Sequence, residues 1–213
     1  MRRVSAASDA VLKGLLCALL GIGWVCALPA QTLPAKTVAA LRAQTQPFAV
    51  GALHPDVVIV EYLDYNCPYC RKSAPELVKL LKSDSRVGIV FKEWPIFGDA
   101  SVYAARSALA ASWQGKFWIA HQALISAPRD LDQNADVDAV LRTAPGLDLA
   151  MLALDRKRHA SEIDAILARS TQETQALGLQ GTPVFIVGQQ LVNSSLKLAQ
   201  LRELVAQSRA PRQ

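Results

Sequence analysis

From Val57 to Val60 the chain is an unbroken run of β-branched apolar residues after Pro55-Asp56, the pattern of a buried strand. The period then changes. From Pro68 to Lys82, Leu77, Leu80 and Leu81 fall on one helical face, and Val87–Phe91 returns to a continuous apolar run. Strand, helix and strand over about 35 residues fit a βαβ unit. From Asp99 to about Leu177 the spacing stays helical. An Ala-rich helix capped by Asp99 runs to Ala111, and a second from Gly115 to Ile125 aligns Phe117, Ala120 and Leu124. Asp136 and Asp148 are N-cap candidates for two shorter helices, and a longer one begins at Ser161 and closes at Gly178.

The β pattern resumes at Val184–Val187, turns at Gly188-Gln189 and returns over Gln190–Val192. A closing helix, Leu196–Ala206, aligns Leu198, Leu201, Leu204 and Val205. Upstream, a short and weakly amphipathic helix is expected over Thr37–Gln44, between Pro34 and Pro47. The order βαβ, helices, ββα predicts an α/β fold split by a helical insertion. Residues 51–98 and 178–207 are assigned to the sheet domain, 99–177 to the inserted helical subdomain, 28–50 to an N-terminal segment and 208–213 to a tail.

The first residues carry a different pattern. Arg2, Arg3 and Lys13 precede an apolar run from Gly14 to Leu28, shorter than the roughly 20 residues of a spanning helix. This is the layout of a secretory signal peptide over residues 1–27, with cleavage after Ala27, or secondarily after Ala30. Left uncleaved, it is a membrane anchor. Val25 is too large to precede a lipidated cysteine at Cys26.

The leader alters what composition implies. The chain has 213 residues, 51% of them hydrophobic and 19% charged, which excludes a largely disordered chain. Its net charge of +5 hints at nucleic acid or a membrane surface. Loss of Arg2, Arg3, Lys13 and Asp9 with the leader lowers that by two. The basic run Arg156-Lys157-Arg158-His159 has no interleaved aromatics and fits a solvated helix end, so no nucleic-acid partner is expected. Two of the four cysteines, Cys17 and Cys26, also leave with the leader. Cys67 and Cys70 remain in a chain bound for an oxidising compartment.

Cys67-Pro68-Tyr69-Cys70 lies where the first strand hands over to a helix. Pro68 suits the first helical turn. The Cys67 sulfur then meets the free N–H groups and positive end of the helix, which favour thiolate over thiol. Cys70, three residues on, is placed to close and reopen a disulfide with it. Two other readings stay open. Half a zinc site needs four ligands, and His54, His121 and His159 show no metal spacing. A static structural disulfide is the other.

Glu61-Tyr-Leu-Asp-Tyr-Asn-Cys67-Pro-Tyr-Cys70 resembles the active-site region of the DsbA-like thioredoxin-fold thiol:disulfide oxidoreductases. The likeness continues through Lys92-Glu-Trp-Pro-Ile-Phe-Gly98, Gln114-Gly-Lys-Phe-Trp118 with His121, and Gly181-Thr-Pro-Val-Phe185, covering roughly residues 50–207. It implies a thioredoxin fold with an inserted helical subdomain. It makes Cys67 the nucleophile, Cys70 the buried resolving thiol, and Pro68 and Tyr69 the active-site dipeptide. Glu61 becomes the buried acid beneath them, a proton acceptor for Cys70 whose burial raises its pKa. Lys92 is the candidate charge partner of Glu61. Thr182-Pro183 becomes the cis-proline pair facing the cysteines, with main-chain groups of Thr182 for an extended substrate. Pro75 is where this helix kinks. His121 is expected to be packed rather than catalytic, and Trp94, Trp113, Phe117 and Trp118 to be core.

The resemblance further implies an exported thiol–disulfide oxidase acting on unfolded or cysteine-containing exported proteins. A membrane redox partner restores it, and it needs no cofactor or metal beyond the Cys67–Cys70 pair. Pro68-Tyr69 also occurs in isomerase-like and reducing relatives, so a disulfide isomerase or reductase is the alternative. A non-catalytic peptide-binding module with an inert disulfide is the third reading.

Overall fold

The computed structural model describes residues 31–43 and 48–210, so the leader, with Cys17 and Cys26, lies outside the described residues. Six strands form one sheet: β1 (Gln31–Thr32), β2 (Ala49–Gly51), β3 (Val57–Leu63), β4 (Val87–Glu93), β5 (Val184–Val187) and β6 (Gln190–Val192), in the order β1-β6-β5-β3-β4-β2. β3 and β4 pair in parallel across the crossover helix α2 (Pro68–Ser83), as the βαβ reading expects, and β5 runs antiparallel to β3 on its other side. The segment before residue 51 therefore supplies two edge strands. Between them lies the helix α1 (Ala35–Arg42), which buries Val38 and Leu41.

Alternation along the strands sorts the core into two layers. Ile59, Leu63, Ile89, Phe91, Phe185 and Val187 pack with Leu77 and Leu80 of α2 and with Leu201 and Val205 of the last helix, α8 (Leu198–Arg209). Val60, Tyr62, Val90, Val184 and Ile186 face the opposite way, toward Val38 and Leu41 of α1. The first layer extends into the helical insertion: α3 (Asp99–Ala111), a 3-10 turn (Ser112–Gln114), α4 (Phe117–Ile125), α5 (Asn134–Leu141) and α6 (Leu149–Arg158). The small Ala104 and Ala108 of α3 let its backbone pack closely, and Phe117 of α4 fills the space beside Phe91. The insertion's last helix, α7 (Ala160–Ala176), leads back toward the sheet, where its Glu173 meets Lys92 and Tyr62 on the second face.

Several local expectations are revised. The α3 N-cap is Gly98, with φ +95°, and Asp99 sits in the first turn, where its charge suits the helix dipole. The α5 N-cap is Gln133, and Asp136 reaches back from inside the helix to accept its N–H at 3.2 Å. Asp148 does cap α6, accepting from the Met151 N–H at 2.9 Å. Trp113 is not core: it is 38% exposed and stacks on His159. Arg156 leaves the solvated run to lie over the Tyr103 ring and donate to Ser107 Oγ at 2.8 Å. The expected tail begins inside α8, whose Arg209 holds Asp56 and Asp84 at 2.7 Å each. Among the described residues no helix is long and apolar enough to cross a membrane.

Candidate active site

Cys67 is the N-cap of α2, and Pro68 opens the helix. The loop that delivers it is fixed from below by Asp64, which is fully buried. Its carboxylate accepts from the Asn66 N–H at 2.7 Å, the Ile96 and Phe97 N–H groups at 2.6 and 3.0 Å, and Ser101 Oγ at 2.8 Å. Its main-chain oxygen accepts from the Cys67 N–H at 3.1 Å. One side chain thus ties the cysteine loop to the loop after β4. Asn66 and Arg71 tie it to the loop after α4: Asn66 pairs both ways with Leu131, and Arg71 donates to the Arg129 carbonyl at 2.9 Å.

The two cysteines are free thiols with opposite surroundings. In its thiol form Cys67 donates to the Thr182 carbonyl at 3.1 Å, and the Thr182–Pro183 peptide bond is cis, the arrangement the resemblance implies. A hydrogen bond from the Cys70 thiol lowers Cys67 to about 6. The side chain of Thr182 and the N–H groups of Cys70 and Tyr69 work the same way, against burial. Cys70 has no accessible surface, and burial first, then the bond to Cys67 and the charge of Glu61, push its pKa far up. Cys67 is therefore the group disposed to ionise, first because the Cys70 thiol donates to it and then because it meets N–H groups of the helix end, while burial keeps Cys70 a thiol. Tyr69 stands outside, 60% exposed.

Glu61 is 3% exposed, on the face of β3 that looks toward α2. In register it lies between Phe91 and Phe185. Burial, then the charges of Glu93 and Cys67, raise its pKa well above the ordinary carboxylate value. A solvent-facing Glu at a strand end is thereby excluded.

Residues 43–207 match a sequence family described as Thioredoxin, which is most of the chain. A thioredoxin-like oxidoreductase from Silicibacter pomeroyi DSS-3 superposes with a TM-score of 0.72 at 38% identity, covering 77% of this chain and 92% of that one. The thiol-disulfide exchange protein alpha-DsbA2 from Wolbachia pipientis gives 0.72 at 25% identity, over 81% and 94%. The chain belongs to the DsbA-like thioredoxin family. A Na(+)/H(+) antiporter, NhaA 3 of Salinispora tropica, is also 36% identical over 143 residues, 64% of this chain. The chain spans only 21% of that protein's length.

Within this DsbA-like site the expected Lys92–Glu61 pair does not form. Glu61 stands opposite Phe91 in the parallel register, so Lys92, one residue on, points to the other face of the sheet. There it is paired with Glu173 at 2.6 Å, and Tyr62 donates to the same carboxylate at 2.8 Å. The acidic neighbour of Glu61 is instead Glu93, two residues beyond Phe91 and so on the same face. It is 1% exposed and accepts from Tyr65 Oη at 2.7 Å, while His121 Nδ1 lies 3.1 Å from that hydroxyl. Burial pushes Glu93 up to about 8 despite the Tyr65 bond, and pushes buried His121 down to about 3, so the imidazole is neutral.

His121 is packed, as expected, against Phe91 and Trp118. Sequence reasoning passed over Asp64, Tyr65 and Glu93. Asp64 carried a signal in Asp-Tyr-Asn, an Asx turn waiting before a helix. Among the described residues no group of three or more His, Cys, Asp or Glu is arranged to hold a metal.

Proposed function

We propose that the chain is an exported thiol–disulfide oxidase that passes its Cys67–Cys70 disulfide to substrate proteins. A substrate thiolate attacks the Cys67 sulfur, the Cys67–Cys70 bond breaks, and Cys70 leaves with the electron pair and takes a proton from Glu61. The substrate's second thiolate then attacks the substrate sulfur of the mixed disulfide, closing the substrate bond and releasing Cys67 as thiolate. Two electrons remain in the dithiol, and a membrane redox partner removes them to restore the disulfide. The main-chain groups of Thr182, before Pro183, are the place for an extended substrate segment. The basic and apolar leader supports export.

What supports the direction is the place of Cys67 as the N-cap of α2 beside the donating Cys70 thiol, which holds its pKa down. A stabilised thiolate stabilises the dithiol, and that makes the disulfide more oxidising. The Cys67 thiol falls from an ordinary 9.0 to about 6. Near pH 7 that favours the dithiol about tenfold, which raises the potential by about 30 mV. Cys70 stays protonated and contributes nothing to that difference.

The reduction potential of the Cys67–Cys70 pair, measured against glutathione, tests the proposal. A value nearer about −120 mV than about −270 mV is expected. A value near −270 mV makes the protein a reductase, and one near −180 mV, with repair of scrambled disulfides, an isomerase. Cys67→Ser is expected to abolish oxidation of a reduced test protein. A wild type inert in all these assays would leave only a peptide-binding module.

A further inference from the structure

We infer that Glu93 is a positioning residue that sets the protonation of Glu61: it takes the first negative charge the buried pair can carry, against the Tyr65 hydroxyl, so that Glu61 keeps the proton Cys70 needs. This rests on the proposed proton transfer between Glu61 and Cys70 and adds to it a residue that touches neither sulfur.

The geometry is specific. Glu61 and Glu93 are both buried on one face of adjacent parallel strands, Glu61 opposite Phe91 and Glu93 two residues further along, opposite Leu63. Two carboxylates in one apolar layer cannot both ionise without large cost, so they titrate as a pair. Their surroundings break the symmetry. Glu93 Oε1 receives the Tyr65 hydroxyl proton at 2.7 Å, and a hydrogen bond of that kind favours the charged form. Glu61 receives no side-chain hydrogen bond among the described residues, and its flanking partners in register are Phe91 and Phe185.

Tyr65 is itself held. With the hydroxyl proton directed at Glu93, its oxygen is free to accept from His121 Nδ1–H at 3.1 Å, and buried His121 stays neutral throughout. The order His121, Tyr65, Glu93 is then a one-way chain of donors ending on the carboxylate. Glu93 Oε2 is buried and without a partner among the described residues, and the charge of Glu93 acts on Glu61. The other titratable groups facing the pair are Asp64, Cys67 and Cys70. None is a cation, and Lys92 lies on the opposite face with Glu173. The first proton lost is therefore Glu93's, and that loss makes the second harder. Glu61 remains an acid, ready to protonate Cys70 as it leaves.

The reverse step gives the cleanest test. The mixed disulfide between Cys67 and glutathione is prepared on the full-length protein. Attack by Cys70 then forms the Cys67–Cys70 bond, releases glutathione thiolate and delivers the Cys70 proton to ionised Glu61. The rate, followed by acid quench and mass spectrometry across pH, reports the ionisation of Glu61. Glu93→Gln removes the competing charge and keeps the shape. Its midpoint is expected to fall by about one pH unit, making the step about tenfold faster on the acidic side. Tyr65→Phe withdraws the donor that favours charge on Glu93, and a smaller fall is expected. It decides the matter should Glu93→Gln fail to fold. Carbon NMR of labelled Glu side chains reads the same shift without turnover. Unmoved midpoints in the folded variants, with Glu61→Gln abolishing the pH dependence, overturn the role of Glu93 alone. A Glu61→Gln profile identical to wild type overturns both the proton transfer and this inference.

Discussion

The two faces of the central sheet handle buried charge in opposite ways. On the face toward α1 and α7, Lys92 is enclosed with Glu173, and the Tyr62 hydroxyl completes the carboxylate's bonding. On the face toward α2, Glu61 and Glu93 are enclosed with no cation among the described residues, and Glu93 Oε2 has no partner among them. The strands are the same and the residues are neighbours, so the contrast owes nothing to depth. Where charges are paired the groups hold α7 to the sheet. Where they are unpaired, protonation becomes the cheap way out of an ionised state, and the groups can trade protons. That unpaired face is the one beneath Cys67 and Cys70.

Breaking the paired face has the largest expected effect. Lys92→Met leaves the Glu173 carboxylate with Tyr62 and no cation, an uncompensated charge that costs about 3–5 kcal/mol of stability. Denaturant unfolding reads it. The thiol-exchange rate per folded molecule is expected to stay at the wild-type value, since Lys92 faces away from Glu61. A tenfold loss of that rate would mean the two faces are not independent.

The unpaired face is expected to show itself through pH. The folded pKa of Glu93 is raised from 4.5 to about 8, so its contribution to stability is greatest below about pH 4.5. It is lost as pH rises toward 8, because the unfolded chain gives up the proton first. Cys67 has the opposite sign: its folded pKa is lowered, so it stabilises the reduced protein above its ordinary value and loses this as pH falls through about 6. Oxidised protein lacks the second effect. The Glu93 share of its stability is expected to fall by about 3 kcal/mol between pH 5 and 8, read as the difference between the wild-type and Glu93→Gln slopes, while Glu61 adds a further fall and His121 a rise common to both proteins. Identical pH slopes for oxidised wild type and Glu93→Gln would show that Glu93 is not buried as a neutral acid.

These contrasts were only partly visible along the chain. Glu61 stood out through the family resemblance, and its burial was expected from the apolar run before it. Lys92 misled because attraction was judged by charge alone. In parallel strands a one-residue offset reverses the face, and the register was needed to see it. Glu93 was missed for a related reason: the apolar run stops at Phe91, whereas hydrogen bonding carries β4 through Glu93. The helix order was legible from periodicity, while the caps at Gly98 and Gln133 depend on backbone paths that spacing does not encode. The approach of Thr182 to Cys67 joins residues 115 positions apart, and only the family resemblance anticipated it.

A narrower probe concerns how the paired face is satisfied. Tyr62→Phe removes one donor from the Glu173 carboxylate and leaves Lys92 in place. A hydrogen bond to a charged acceptor is worth about 1.5–3 kcal/mol, so about 2 kcal/mol is expected, less than the loss of the cation. A cost equal to that of Lys92→Met would make the hydroxyl, not the charge, the group that holds α7.

The smallest expected effect is the most discriminating. Replacing both charges, Lys92→Met with Glu173→Leu, removes the cation, the anion and their mutual attraction together. The Tyr62 hydroxyl loses its acceptor, but no charge remains uncompensated, and apolar side chains gain contact with Val90 and Ile186 in the same layer. Buried pairs exchanged for packed apolar residues are often neutral, so the double variant is expected within about 1 kcal/mol of wild type. The same exchange on the other face cannot be silent: Glu61→Leu with Glu93→Leu relieves unpaired acids, raises stability at pH 8, and takes away the proton Cys70 uses. If the Lys92–Glu173 double variant instead falls by as much as Lys92→Met alone, the pair is not compensating charge but shaping the packing of α7. The two faces would then differ in geometry rather than in how their charges are balanced.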